Sequence, residues 1–359
     1  MNEIKILIVD DSAFMRKALS MMLEDHSDLK VVGTCTNGID AVNFVRDNAI
    51  DIVTLDIEMP KMDGLSALKQ ILEIKPIPVI MISSLTTEGA SHTIEALELG
   101  AVDFIPKNMS FISHEIMKIK EELIEKIRYF HKNSAILARK ISIASRLTKI
   151  RKSHIDRPLD KGSSTLKSTN TYRNTKEIVV IGSSTGGPAA LQKIIPLLPK
   201  DLPVPVLIVQ HMPPGFTASL AERLNSLSEL DVKEVVSDTL PKKGCVYVSP
   251  GGKQTVINSR KRLEVRESKV GELYKPCIDT TFLSINEVYR GRVLAVILTG
   301  MGSDGTEGLK KIHENNGFII GQNQESCVVY GMPKEANETG LSNVVVDLSE
   351  IAKLIIENC

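Results

Sequence analysis

Cysteine is scarce in this sequence, and the little there is does not pair. The five cysteines, Cys35, Cys245, Cys277, Cys327 and Cys359, are odd in number, scattered, and form no Cys-x-x-Cys unit. A disulfide framework and a zinc site are thereby excluded as organising features, and a reducing cytoplasm fits best. Long apolar runs are missing too: none approaches the ~20 residues needed to span a bilayer. The first residues enter a short strand without the apolar core of a signal peptide, so a soluble protein with no membrane insertion is expected. Net charge is also absent, with 44 basic against 44 acidic residues.

That balance is uneven along the chain. Between residues 131 and 176, Lys and Arg outnumber Asp and Glu twelve to two, so the remainder is correspondingly acidic. Ile136, Ile143, Leu147 and Ile150 recur there at helical spacing among basic residues, which predicts an amphipathic basic helix. Beyond Ser153 the stretch is rich in Ser, Thr, Lys and Asn and reads as a flexible linker. Without aromatic interleaving or a helix-turn-helix pattern, no nucleic acid partner is expected.

What is present begins with length: 359 residues exceed what one hydrophobic core fills, so two domains are the default. The stretch Ile178 to Pro188, Ile-Val-Val-Ile-Gly-Ser-Ser-Thr-Gly-Gly-Pro, organises the second. Its apolar, mostly β-branched run predicts a buried parallel strand, and the glycines permit a sharp turn into a helix beginning near Pro188. A P-loop is excluded because Gly187 is followed by Pro188 and Ala189, and the dinucleotide Gly-x-Gly-x-x-Gly spacing is missing. Gly182-Ser183-Ser184-Thr185-Gly186 instead fits Gly-x-Ser-x-Gly, in which a strand-to-helix turn lifts a serine hydroxyl clear of the sheet. Ser184 is the candidate nucleophile, against the alternative of a plain βα turn with a serine cap.

Two further strands supply partners. Val204 to Gln210 ends in His211, and Val293 to Leu298 ends in Thr-Gly-Met-Gly-Ser-Asp-Gly, which delivers Asp304. All three side chains leave strand tips on one rim, as a Ser-His-Asp hydrolytic site requires. Asp238 and Asp279 are alternative acids, ranked lower because neither follows a buried-looking strand. Shorter alternating runs around Val232 to Val236, Cys245 to Val248, Thr255 to Asn258 and Arg262 to Val265 predict an antiparallel insertion or edge meander.

In the first 130 residues, five apolar runs each precede a helical pattern: Ile4 to Val9, Lys30 to Cys35, Asp51 to Leu55, Pro78 to Ile82 and Ala101 to Ile105. Such βα repetition predicts a doubly wound parallel sheet, whose ligands gather beyond the carboxyl ends of the strands. Asp10, Asp11, Asp56, Ser83 and Lys107 all stand at such ends. Three carboxylates at one rim repel one another unless a hard cation joins them, and oxygen ligands suit Mg²⁺. Asp56 then has the surroundings of a phosphoryl acceptor, with Ser83 and Lys107 placed to meet the phosphate.

These residues resemble the receiver domain of two-component response regulators over the whole of residues 1–130. The resemblance implies Asp56 as phosphoacceptor and Ser83, Phe104 and Lys107 as switch residues. It further implies Mg²⁺ held by Asp10, Asp11, Asp56 and the backbone carbonyl of Glu58. Ile-Gly-Ser-Ser-Thr-Gly-Gly-Pro, Gln-His-Met-Pro-Pro-Gly-Phe, Leu-Thr-Gly-Met-Gly-Ser-Asp-Gly and Cys-Val-Val-Tyr-Gly-Met-Pro together resemble the bacterial chemotaxis protein-glutamate methylesterases. That family implies a doubly wound, mainly parallel α/β hydrolytic domain over 177–359, joined to the flavodoxin-like receiver by the linker of 131–176. It implies a triad of Ser184, His211 and Asp304, with the N–H groups of Thr185 and Met301 as oxyanion hole and no cofactor in the hydrolytic domain. The reaction implied is demethylation of glutamyl methyl esters, with deamidation of certain glutamines, on methyl-accepting chemotaxis receptors. The partners implied are those receptors and a chemotaxis histidine kinase as phosphodonor, at membrane receptor arrays on the cytoplasmic side. Ser183 stands where alanine is common in that family, which leaves two adjacent serines to choose between.

Overall fold

The computed structural model describes residues 3–107, 113–139 and 176–359. The basic-helix positions Ile143, Leu147 and Ile150 and the stretch beyond Ser153 lie outside the described residues. Among the described residues, no helix is long and apolar enough to cross a membrane. By packing, the chain divides into two compact units, Met1–Val79 with Met117–Asn174 and Ile80–Ile116 with Thr175–Cys359.

The first five strands are β1 (Ile4–Val9), β2 (Leu29–Cys35), β3 (Ile52–Asp56), β4 (Val79–Ser84) and β5 (Asp103–Lys107). They alternate with helices α1 (Ala13–Glu24), α2 (Gly38–Asp47), α3 (Gly64–Ile74), α4 (Thr87–Leu99) and α5 (Ser113–Lys132). Their sheet has the order β2-β1-β3-β4-β5, with β1 parallel to both β2 and β3, and β4 parallel to β5. The order reverses between β1 and β3, so the carboxyl ends of these two strands flank the crevice where such sheets bind ligands. Helix caps are supplied by residues other than the candidate ligands. Ser12 accepts the Met15 N–H at 3.3 Å to cap α1, and Thr86 accepts the Gly89 N–H at 3.0 Å to cap α4.

The second sheet has seven strands in the order β14-β13-β12-β6-β7-β9-β8. These are β6 (Ile178–Ser183), β7 (Val206–Gln210), β8 (Asp231–Glu234), β9 (Cys245–Val248), β12 (Val293–Ile297), β13 (Phe318–Gln322) and β14 (Val344–Val346). Helices α6 (Gly187–Ile194), α7 (Phe216–Leu227), α8 (Ile278–Tyr289) and α9 (Thr306–Glu314) follow the strands that bear the candidate site or pack beside them. Strands β6, β7 and β12 are buried along their whole length, as near-continuous Val, Ile and Leu runs demand. Ile178, Val180, Leu207 and Val293 pack with Phe282 and Ile285 of α8 in one core. Each such side chain contributes roughly 1.5–3 kcal/mol by leaving water.

The expected antiparallel meander is corrected in part. Strand β9 runs parallel to both β7 and β8 and extends the main sheet. Only β10 (Gln254–Ile257) and β11 (Leu263–Arg266) form an antiparallel pair. Alternating burial marks any strand covered on one face, and an edge strand such as β8 shows it whatever its direction.

Candidate active site

Strand β6 lies between β7 and β12, both parallel to it, so the chain continues to opposite sides of it and its carboxyl end opens on the crevice. The register pairs Ser183 with Gln210 and Gly182 with Ile297. Ser184 and His211 are therefore the next residues on adjacent strands, whose backbones lie ~4.8 Å apart. The His211 N–H donates to the Ser183 carbonyl at 3.0 Å and continues the ladder to the tip. Beyond it, the Ser184 N–H donates to the Thr299 carbonyl at 3.1 Å, and the Gly187 N–H closes the turn on the Ser184 carbonyl at 2.8 Å. Gly186 has φ of +78°, and a Cβ there would stand 2.6 Å from the Cβ of Val328, so only glycine fits this bend.

The two serines have different surroundings. Ser183 is fully buried, and its hydroxyl donates to Gln210 Oε1 at 2.6 Å. Gln210 Nε2 in turn donates to the carbonyls of Ser184 at 2.9 Å and His211 at 3.0 Å. Ser184 is half-buried and reaches the crevice. Among the described residues, no hydrogen bond joins its hydroxyl to His211. Catalytic hydrogen bonds of this kind tighten on substrate binding.

His211 meets its acid directly. Nε2 lies 2.7 Å from Asp304 Oδ2. The same carboxylate accepts the Ile278 N–H at 2.7 Å and the Asp279 N–H at 3.0 Å, and the Cys277 thiol approaches Oδ1 at 3.3 Å. Burial works to raise the Asp304 pKa, but the His211 contact and these N–H groups outweigh it and hold the carboxyl down to about 2. An ionised Asp304 accepts the Nε2 proton, which leaves Nδ1 as the basic nitrogen of His211.

The alternative acids have other partners than His211. Asp238 is exposed and pairs with Arg262 Nε at 2.5 Å. Asp279 accepts the Gly308 N–H at 2.7 Å. Burial first, with the neighbouring Asp304 charge adding to it against the Gly308 N–H, pushes Asp279 up to about 6. A carboxyl whose folded value is raised binds its proton more tightly than the unfolded chain does, so stability falls as pH rises from about 4 through about 6. Asp279→Asn should remove that component: the melting temperature of the variant should change less between pH 5 and pH 8 than that of the wild type. An unchanged difference would mean that Asp279 ionises freely.

Thr185 and Met301 occupy the loops expected of an oxyanion hole. Among the described residues, no acceptor takes the N–H of either. The Thr299 hydroxyl stands 2.9 Å from the Thr185 carbonyl, accepts the Val329 N–H at 2.9 Å, and so ties the two loops together. A Cβ at Gly300 would come within 2.8 Å of Ser184 Cβ, so the loop after β12 approaches the serine as closely as glycine allows. The Thr185 hydroxyl donates to Asp103 Oδ2 at 2.8 Å. In the same unit Phe104 stacks on Phe216, with centroids 4.7 Å apart, and Arg223 pairs with Glu98 at 2.7 Å.

Sequence reasoning missed Tyr274, Cys277 and Gln210 as parts of this site. The Tyr274 ring lies parallel to the His211 imidazole, with centroids 4.4 Å apart and an 8° angle between planes. It sits in a loop with no periodic pattern, so nothing in the sequence singles it out. Gln210 reads simply as the end of a strand.

At the other rim, Asp10 and Asp56 are buried and Asp11 is exposed, and one oxygen of each lies within 4.8 Å of the others. Asp10 Oδ1 accepts the Ser12 N–H at 2.9 Å. Three hard carboxylate oxygens this close suit an octahedral Mg²⁺. Glu58 lies in the loop after β3, where the Gly64 N–H donates to the Ile57 carbonyl at 2.8 Å. Ser83 is held within its own βα unit: Thr93 Oγ1 lies 2.6 Å from its hydroxyl, which donates to the Gly89 carbonyl at 3.1 Å. Lys107 is the last residue of β5.

A strand-tip elbow beside a paired His and Asp, on a chain that also carries a receiver-type acidic rim, defines a hydrolase joined to a response-regulator module. The CheB methylesterase family model matches residues 179–355, and the response regulator receiver domain model matches residues 6–118. The protein-glutamate methylesterase/protein-glutamine glutaminase of Bacillus licheniformis is 42% identical, covering 98% of this chain and 98% of its own. That of Bacillus subtilis is 45% identical, covering 98% of this chain and 97% of its own. The CheB methylesterase catalytic domain of Thermotoga maritima, a crystal structure, is 44% identical and covers 51% of this chain and 98% of that one, with a TM-score of 0.49. The chain belongs to the protein-glutamate methylesterase/protein-glutamine glutaminase family.

Proposed function

We propose that this chain is a phosphorylation-regulated serine esterase that hydrolyses glutamyl 5-O-methyl esters on methyl-accepting chemotaxis receptors, releasing methanol and restoring glutamate. Deamidation of specific receptor glutamines follows the same course with ammonia as leaving group. The observation that carries the reading is the 2.7 Å contact of His211 with Asp304 beside the strand tip bearing Ser184. In this scheme residues 1–130 are the receiver, 131–176 the linker and 177–359 the catalytic domain. The protein works in the cytoplasm at membrane receptor arrays.

His211 Nδ1 takes the Ser184 proton as Oγ attacks the ester carbonyl, and Asp304 stabilises the imidazolium that results. The N–H groups of Thr185 and Met301 receive the tetrahedral oxyanion, a contribution of roughly 2.7–4 kcal/mol per donor. Collapse expels methoxide, which leaves as methanol with the proton from His211. Water, deprotonated by the same nitrogen, then cleaves the acyl-enzyme and frees the glutamate carboxylate.

In the receiver, Asp10, Asp11, Asp56 and the Glu58 carbonyl would hold Mg²⁺. When bound, the ion offsets negative charge on the phosphoryl oxygens. Asp56 accepts the phosphoryl group from a chemotaxis histidine kinase, and Ser83, Phe104 and Lys107 respond to it. The Phe104–Phe216 stack ties one switch position to α7, and the neighbouring Asp103 holds Thr185 of the serine turn. Phosphorylation acts by shifting the population away from that arrangement. A small phosphodonor should raise methanol release from receptor membranes by the wild type about tenfold or more, the ratio set by a shift of ~1.4 kcal/mol. Asp56→Ala should not respond, and equal rates with and without donor in the wild type would refute the gating.

A further inference from the structure

Residues 267–275, between β11 and α8, form a strap that leads straight to His211. Its two apolar side chains face water: Val270 is fully exposed and Leu273 is 87% exposed. Single exposed apolar residues are ordinary, but these two stand three positions apart on one short segment fixed at both ends. At one end Arg266 pairs with Glu272 through Nη2 at 2.5 Å and Nη1 at 2.9 Å. The same carboxylate accepts the Lys269 N–H at 2.6 Å and the Thr280 hydroxyl at 3.1 Å. The Arg266 bond above all holds the Glu272 carboxyl down to about 2. At the other end Gln254 Nε2 donates to the Tyr274 carbonyl at 2.7 Å, and the Gly252 N–H to the Lys275 carbonyl at 3.0 Å.

Charge adds a second property. The acids of the strap are neutralised by bases outside it, Glu267 by Lys253 and Glu272 by Arg266. Its own cations, Lys269 and Lys275, are exposed, so its outer edge is apolar and positive. Tyr274 makes that edge continuous with the catalytic imidazole.

We propose that the strap is the substrate-docking edge of the active site, and that its occupant is a receptor segment carrying a methyl-esterified glutamate among unmodified acidic neighbours. The inference rests on the methylesterase reading above. Val270 and Leu273 meet the uncharged part of the segment, while Lys269 and Lys275 meet its remaining carboxylates. A small ester reaches Ser184 without spanning the strap, so the two kinds of substrate separate docking from chemistry.

The test compares kcat/KM for methanol release from methylated receptor membranes with kcat/KM for p-nitrophenyl acetate, using the full-length protein. In Val270→Asp/Leu273→Asp, the ratio of receptor to small-ester values should fall about tenfold or more, through KM for the receptor. A ratio within about twofold of the wild type, whether both values are kept or both fall together, would overturn the docking role. Wild-type protein that cleaves the small ester but releases no methanol from receptors would overturn the methylesterase reading itself, and the docking proposal with it.

Discussion

Ser184→Ala should lower methanol release by ~10⁴-fold or more, whereas Ser183→Ala should keep most of the activity. The contrast follows from burial. The Ser183 hydroxyl points into the sheet and is committed to Gln210, where a substrate carbonyl has no access. Its removal leaves the buried Gln210 Oε1 without that donor, a stability cost of about 1–3 kcal/mol. Ser183→Ala should therefore register chiefly as a lower melting temperature. A serine-directed phosphonate should label the peptide containing both residues at Ser184. Labelling at Ser183, or full activity in Ser184→Ala, would move the nucleophile by one residue.

Asp304→Asn should reduce the rate by roughly 10⁴-fold with the fold intact, since an amide cannot stabilise the imidazolium as a carboxylate does. The local geometry makes the loss steep. Asp304 faces donors on all sides: His211, the N–H groups of Ile278 and Asp279, and the Cys277 thiol. An asparagine NH₂ must confront one of them. The pH dependence of stability carries its own signature. Because the folded carboxyl titrates at about 2, below its ordinary value of 3.8, its contribution is complete above that ordinary value and is lost as pH falls through about 2. Acid unfolding curves of wild type and variant should converge at that acid limit, separate between about pH 2 and pH 4, and stay a constant distance apart above it. Parallel curves, or activity within tenfold of the wild type, would remove Asp304 from the proposed mechanism.

Most of the architecture was legible because parallel strands buried on both faces leave continuous apolar runs, and the candidate site side chains follow those runs directly. Ser184, His211 and Asp304 stand out in this way after β6, β7 and β12. The direction of β8 and β9 was not legible, since one-sided burial produces the same alternation in parallel and antiparallel strands. Tyr274 was hidden for a different reason. It reaches His211 through an irregular loop whose path depends on contacts of Glu272 and Gln254. No local pattern encodes such contacts. Asp238, considered as an acid from sequence, is an exposed partner of Arg262.

The amide of Gln210 clamps both strand tips by gripping the carbonyls of Ser184 and His211 at once. The proposed nucleophile and base consequently share one mount. Under the proposed gating, activation of such a centre needs only access and one serine rotamer turn, because its parts are already held together.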